Sequence, residues 1–133
     1  IGQVFGVVDE IYDVEAGNKE LAAASKRARA KLPKLKKRFN KGLDEGQVLL
    51  MKFPFLYGDD EIEYMWVEIL KWKGDQVEGI LQNQPYYIKD LQAGERVDFH
   101  TDKMYDYILQ LSQDEFEGNE TGEIIMRLQQ GKQ

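Results

Sequence analysis

Apolar positions recur at two different periods along this chain, and the change of period divides it. Leu21, Ala24, Ala28, Leu32, Leu35 and Phe39 follow one another at spacings of three and four. Residues so spaced share one face of an α-helix, so these six form a single apolar stripe. Asn18 stands just ahead of the stripe and is suited to cap the helix, its side-chain oxygen accepting an otherwise unpaired backbone N–H. Pro33 interrupts the pattern, because its ring removes a hydrogen bond and clashes with the preceding turn. The spacing predicts a helix to about Lys31, then a kink or a second short helix ending near Gly42.

Beyond Gly46 the period becomes two. Leu49, Met51, Phe53 and Phe55 share one face of a strand that ends in the turn residues Tyr57-Gly58-Asp59-Asp60. The next run, Ile62 to Trp72, is apolar on both alternations: Ile62, Tyr64, Trp66 and Leu70 on one, Met65, Val67 and Ile69 on the other. That pattern belongs to a strand covered on both sides, hence central in its sheet. Lys73-Gly74-Asp75 turns the chain into a third strand, Gln76 to Gln82, which Pro85 closes off. Leu91 to Phe99 reads as a turn feeding a short strand. Tyr105 to Leu111 and Glu123 to Gln129 are further strand candidates separated by a solvated acidic loop, and Gln3 to Val8 alternates weakly as another.

Strands joined by tight turns pair antiparallel, so the elements sum to an α+β fold. The expectation is an N-terminal helix region packed on a strongly bent antiparallel sheet, or small partly open β-barrel, of five to six strands. No internal repeat or boundary divides residues 1–133, and a single domain is expected.

Composition narrows the chemistry. No apolar run approaches the roughly 20 residues that span a bilayer, so no membrane role is expected. With zero cysteines and one histidine, His100, the chain lacks thiolate ligands and most histidine zinc sites. No metal or cofactor is expected. The expected location is cytoplasmic, with a secreted or periplasmic one left open by a chain that begins at Ile1 rather than Met.

The net charge of -6 hides an asymmetry: residues 26–41 carry nine Lys/Arg and no acid, leaving the remainder strongly acidic. Such a block binds nucleic acid or an acidic partner, or rests against its own domain's acids. Base-stacking modules interleave Lys/Arg with exposed aromatics on a sheet face. Here the cations fall on the helix, while the strand aromatics are flanked by Glu61, Glu63, Glu68 and Asp106. Nucleic-acid binding is therefore not the expected use.

Catalytic patterns are sparse. Asp59, Asp60, Glu61 and Glu63 crowd a turn, where acids are normally solvated. Asp114 to Asn119 fails as a calcium loop, with Phe116 at the third ligand position and Ile125 where a bidentate Glu belongs. His100 beside Thr101-Asp102 reads as a surface residue. No catalytic residue is assigned; a carboxylate-based hydrolase or small-ligand enzyme using Glu63 and Asp106 is the alternative. The distinctive element is aromatic and polar together: Trp66 on the central strand, then Asn83-Gln84-Pro85-Tyr86-Tyr87, then Tyr105 and Tyr107. It reads as a turn pinned by Pro85 over core aromatics, or as a shallow patch for a peptide or small ligand.

The motifs resemble, in order, those of the YegJ-like family (domain of unknown function 2314). Ala28-Arg29-Ala30-Lys31-Leu32-Pro33 is similar to its helix-ending AR-x-x-LP. Glu63-Tyr64-Met65-Trp66 resembles its E-x-M-W strand, and Gly79 its strand glycine. Asn83 to Tyr87 resembles N-x-P-x-Y, Gly94 to Val97 the G-x-x-V turn, and Asp106-Tyr107 the late D-W pair. The likeness covers roughly residues 19–110; Gly118 to Gly122 departs from the family's closing Gly-Gly-aromatic-Thr. It implies one compact bacterial-type domain and supplies no activity.

The combined expectation is a non-enzymatic binding domain for another protein, an accessory or immunity-type factor acting as monomer or weak homodimer. Its candidate contacts are Lys34, Lys36 and Lys37 on the helix and Trp66, Asn83, Tyr86 and Tyr87 on the patch.

Overall fold

The computed structural model describes residues 14–130. Two helices, α1 (Val14–Ala30) and α2 (Leu32–Lys41), precede strands β1 (Val48–Tyr57), β2 (Glu61–Lys73) and β3 (Gln76–Leu81). Then come β4 (Arg96–His100), a 3-10 turn, β5 (Asp106–Gln110), β6 (Phe116–Gly118) and α3 (Glu120–Gln130). All strand pairings are antiparallel. The sheet has six strands in the order β4-β3-β2-β1-β5-β6 and is not closed. The expected α+β fold with a bent, partly open sheet is the fold observed, and the long strand β2 lies inside the sheet, but it is buried on one face only: Ile62 and Leu70, expected to be covered, are exposed.

Alternation along β1 and β2 sets the core. Leu49, Met51, Phe53 and Phe55 oppose Val67, Met65 and Glu63 on one face, where Ala28 of α1 and Leu35 of α2 cover them. Pro33 occupies the first turn of α2, where a missing N–H costs nothing, so the break is a clean helix-to-helix joint. A second, smaller cluster joins Leu21 and Ala24 of α1 to Ile124 and Ile125 of α3.

The bend is visible in the aromatic packing. Phe99 of β4 stacks on Phe53 of β1 with centroids 4.3 Å apart and planes 3° from parallel. Three strand spacings separate those strands, about 14 Å in a flat sheet, so the sheet must curl to bring the rings together. Curling crowds the backbone at Gly79, where an added Cβ would lie 2.0 Å from the Glu68 carbonyl oxygen. The β2–β3 register also slips between Ile69 and Lys71. Gly79→Ala is therefore expected to cost about 2 kcal/mol, the usual scale of overpacking, measured by urea denaturation.

Three further expectations need correction. Glu123–Gln129 is not a strand but part of helix α3. Ile124 and Ile125 suggested β structure, yet Thr121, Ile124, Ile125 and Leu128 repeat at helical spacing, with Ile124, Ile125 and Leu128 packed on α1 and Thr121 bonded to Asp106 of β5. The acidic loop before it holds the short strand β6, paired with β5. Asn18 is not an N-cap, because α1 starts at Val14 and runs through Gly17 and Asn18. A helical glycine is disfavoured by roughly 1 kcal/mol, but Gly17 sits against Leu128 of α3, and tertiary packing overrides the local preference. The Gln3–Val8 strand lies outside the described residues.

Candidate functional site

Helix α2 is divided lengthwise. Leu32, Leu35, Lys36 and Phe39 recur at three and four and are buried or half-buried, whereas Lys34, Lys37, Arg38 and Lys41 repeat at the same spacing and are exposed. Phe39 packs against Trp72 at 6.2 Å. Lys36 is drawn to the core side, where its Nζ donates to the Gly74 carbonyl at 2.7 Å. Among the described residues, no cation of α2 forms an ion pair. In α1, by contrast, Arg27 is bridged to Glu120 at 3.0 Å, and Arg29 donates to Ser25 and to the Met104 carbonyl. No acid among the described residues pairs directly with a cation of α2.

The Asn83–Tyr87 segment is pinned at both ends. The Asn83 side-chain oxygen accepts the Trp66 backbone N–H at 2.6 Å, continuing the ladder past the end of β3. Glu63, only 4% exposed on the core face of β2, accepts the backbone N–H groups of Tyr86 at 2.7 Å and Tyr87 at 3.1 Å. Pro85 is buried between these anchors. The result holds two tyrosines outward, Tyr86 at 55% and Tyr87 at 43% exposure. Tyr87 stacks on Tyr57 at 4.9 Å with planes 6° apart, and Tyr86 meets Tyr87 at 4.7 Å and 81°. Burial, with Glu61 and Glu63 nearby, holds the Tyr57 phenol above its usual range.

Trp66 belongs to a different neighbourhood. Its register partner on β1 is Lys52, whose Nζ lies 5.3 Å from the Trp66 ring and 5.7 Å from that of Tyr105. Tyr105 in turn contacts Tyr64 at 4.4 Å. Lys52 is buried and opposite Asp106 in the β1–β5 register. Burial lowers the Lys52 ammonium pKa, with Asp106 opposing. Burial likewise raises that of Asp106, against the hydrogen bonds it accepts and the Lys52 charge.

The sequence-derived candidates therefore separate into three groups. Lys34, Lys36 and Lys37 lie on α2, whose contact with the Gly74 turn puts it at one end of β2. Tyr86 and Tyr87 lie by Tyr57 and Glu63 at the other end, roughly 35 Å away along the strand. Trp66 shares only its backbone with Asn83, and its ring is on the face opposite Glu63. Tyr107, grouped with these aromatics from sequence, is a core residue whose hydroxyl donates to Glu117 at 2.7 Å; burial and that contact raise its pKa.

Glu63 and Asp106 do not form a carboxylate pair. They stand on strands flanking β1 on either side, opposite Phe55 and Lys52 respectively, positions of opposite facing. Both are buried and engaged by donors from their own surroundings. His100 is an exposed cap, accepting the Asp102 backbone N–H at Nδ1. Sequence reading missed Tyr57 and the anchoring role of Glu63. Their signal was the Tyr57-Gly58-Asp59-Asp60 turn, which returns Glu63 to the level of Phe55. A cleft of about 220 Å³ also opens between α1, β5 and α3, bounded by Arg27, Lys31, Tyr107, Glu117 and Glu120. Among the described residues, no group of three or more His, Cys, Asp or Glu side chains is placed to hold a metal ion.

Helices packed on an open antiparallel sheet, with opposite charge at the two ends of the long strand β2, define a small α+β domain whose cationic and tyrosine patches lie at its surface. The chain matches the model of domain of unknown function 2314, described as an uncharacterised protein conserved in bacteria, over residues 18–130, and it belongs to that family. The match extends through α3, past the point where the motif resemblance stopped. No curated protein and no solved structure matches the chain.

Proposed function

We propose that the chain is a non-enzymatic protein-binding module that engages an acidic partner surface through α2. The carrying observation is the exposed stripe Lys34, Lys37, Arg38 and Lys41, which has no ion pair among the described residues while the other side of the helix is committed to the core. A helix whose apolar side is fixed presents its charges at constant spacing, and complementary charge speeds encounter and selects partners. The cleft beside Arg27 and the two separated carboxylates support catalysis less well. The ordered motifs from Ala28 to Tyr107 favour a YegJ-like place within the family.

The reading predicts that wild type binds poly-glutamate and that Lys34→Glu, Lys37→Glu and Lys41→Glu together abolish the binding. Fluorescence anisotropy with labelled poly-glutamate and with duplex DNA, each across a salt series, measures both. Binding of DNA with a steep salt slope, in preference to poly-glutamate, would reassign the helix to nucleic acid. Equal affinity of wild type and triple variant for poly-glutamate would remove α2 from the interface.

A further inference from the structure

We infer that the tyrosine corner at the opposite end of β2 is a second docking surface, built for a cationic, arginine-bearing segment of a partner protein. The surface is assembled from Tyr57, Tyr86 and Tyr87 and is independent of the α2 stripe.

Three observations lead to it. The corner is rigid, because the backbone N–H groups of Tyr86 and Tyr87 both end on the Glu63 carboxylate and Asn83 is tied to Trp66. Ordering entropy that a free loop would lose on binding has already been lost. The corner is also aromatic and exposed. Rings crossed at 81° cannot cover both of each other's faces, so at least one tyrosine π face stays clear of its neighbour. Finally, the corner is acidic: residues 57–63 and 83–90 carry Asp59, Asp60, Glu61, Glu63 and Asp90 against the single cation Lys89. Lys89 is exposed and donates to the Tyr86 carbonyl at 3.2 Å.

An open π face attracts a cation through the ring quadrupole, most often a guanidinium, which also stacks flat on the ring. Asp59, Asp60 and Glu61 are exposed beside the stacked Tyr57 and offer carboxylates for the guanidinium N–H fork. An acidic or purely apolar partner would leave this charge uncompensated. The protein's own basic helix lies at the far end of β2 and cannot reach the corner within one chain.

The test is an amide NMR titration with an acetylated, amidated tri-arginine peptide, and with its tri-glutamate counterpart. Saturating shifts confined to residues 57–63 and 84–90 with tri-arginine, and none with tri-glutamate, are expected. Tyr86→Ala with Tyr87→Ala should weaken that binding about tenfold, the loss of two ring–cation contacts. Phenylalanine at both positions should restore it, because the contact is to the ring and not the hydroxyl. Shifts scattered over every acidic surface, or absent at the corner, would overturn the assignment, as would failure of the phenylalanine variant to bind. Corner shifts that arise on concentrating the protein alone, and disappear on charge reversal of Lys34, Lys37 and Lys41, would give the surface to a second copy and equally overturn it. The α2 variant leaves the corner intact, so the two surfaces fail separately.

Discussion

Replacing Glu63 with alanine is expected to cost about 3 kcal/mol of folding free energy, since each buried donor left unpaired costs roughly 1–3 kcal/mol. The two donors are the Tyr86 and Tyr87 backbone N–H groups, which have no other acceptor in the segment. Glu63→Gln is the sharper variant. The two carboxylate oxygens each take one N–H, whereas a carboxamide has one oxygen and one NH2. One backbone N–H would then face a donor, and about 2 kcal/mol of the loss should persist despite the identical shape. Urea denaturation gives the cost. Native-state hydrogen exchange gives its place: the amides of Tyr86 and Tyr87 should lose protection well before those of β1 and β5. An unchanged exchange pattern in Glu63→Gln would mean the loop is held by Pro85 and Asn83 alone. The same variant should weaken tri-arginine binding, because it frees the corner from its anchor without removing a tyrosine.

The backbone plan was legible because its signals are local. The apolar stripe from Leu21 to Phe39, the proline at its joint and the alternation from Leu49 to Trp72 each report on neighbouring residues, and each element appears where the pattern put it. Pairing followed from tight turns such as Lys73-Gly74-Asp75. Errors arose where a distant contact decides the state. Gly17 and Asn18 sit inside a helix because α3 packs on it. Ile124 and Ile125 are helical because a carboxylate from β5 caps the helix they belong to.

The candidate site was legible as residue types and not as places. Lysines at 34, 36 and 37 and tyrosines at 86 and 87 stood out by composition alone. Only the register, with Tyr57 opposite Glu61 and Gly74 beyond Lys73, puts them at opposite ends of one strand. Trp66 and Asn83 looked like partners in a patch, and they are partners, but through the main chain. Lys36 looked equivalent to Lys34 and Lys37, yet one residue of helical phase turns it to the Gly74 carbonyl. The acids that appeared catalytic, Glu63 and Asp106, serve as acceptors for backbone donors that no strand or helix satisfies.

Asp106 carries the larger load of the two, and Asp106→Ala is expected to destabilise the protein by about 4 kcal/mol, again at roughly 1–3 kcal/mol per orphaned donor. Its carboxylate accepts the Tyr107 backbone N–H at 2.8 Å, the Thr121 backbone N–H at 3.0 Å and the Thr121 hydroxyl. The Thr121 N–H lies in the first turn of α3, where no carbonyl of the helix can reach it. Asp106 therefore caps α3 from a neighbouring strand and fastens it to the sheet, while Thr121 is fully buried. Loss of the cap should free α3 first, so exchange of its amides should accelerate more than exchange in β1 or β2. Thr121→Val removes only the hydroxyl and should cost about 1 kcal/mol, one ordinary hydrogen bond. The pH dependence has a definite sign. Burial raises the Asp106 pKa above its ordinary 3.8 in the folded protein. The folded state then binds a proton more readily than the unfolded one, so this group's contribution is full below about 3.8 and is lost as pH rises through the folded pKa. Asp106→Asn has no such titration. The stability gap between wild type and Asp106→Asn should accordingly be widest in acid and narrow toward neutrality, measured by urea melts across that range. A gap that widens with rising pH would show that the three hydrogen bonds and Lys52 outweigh the burial of the carboxylate.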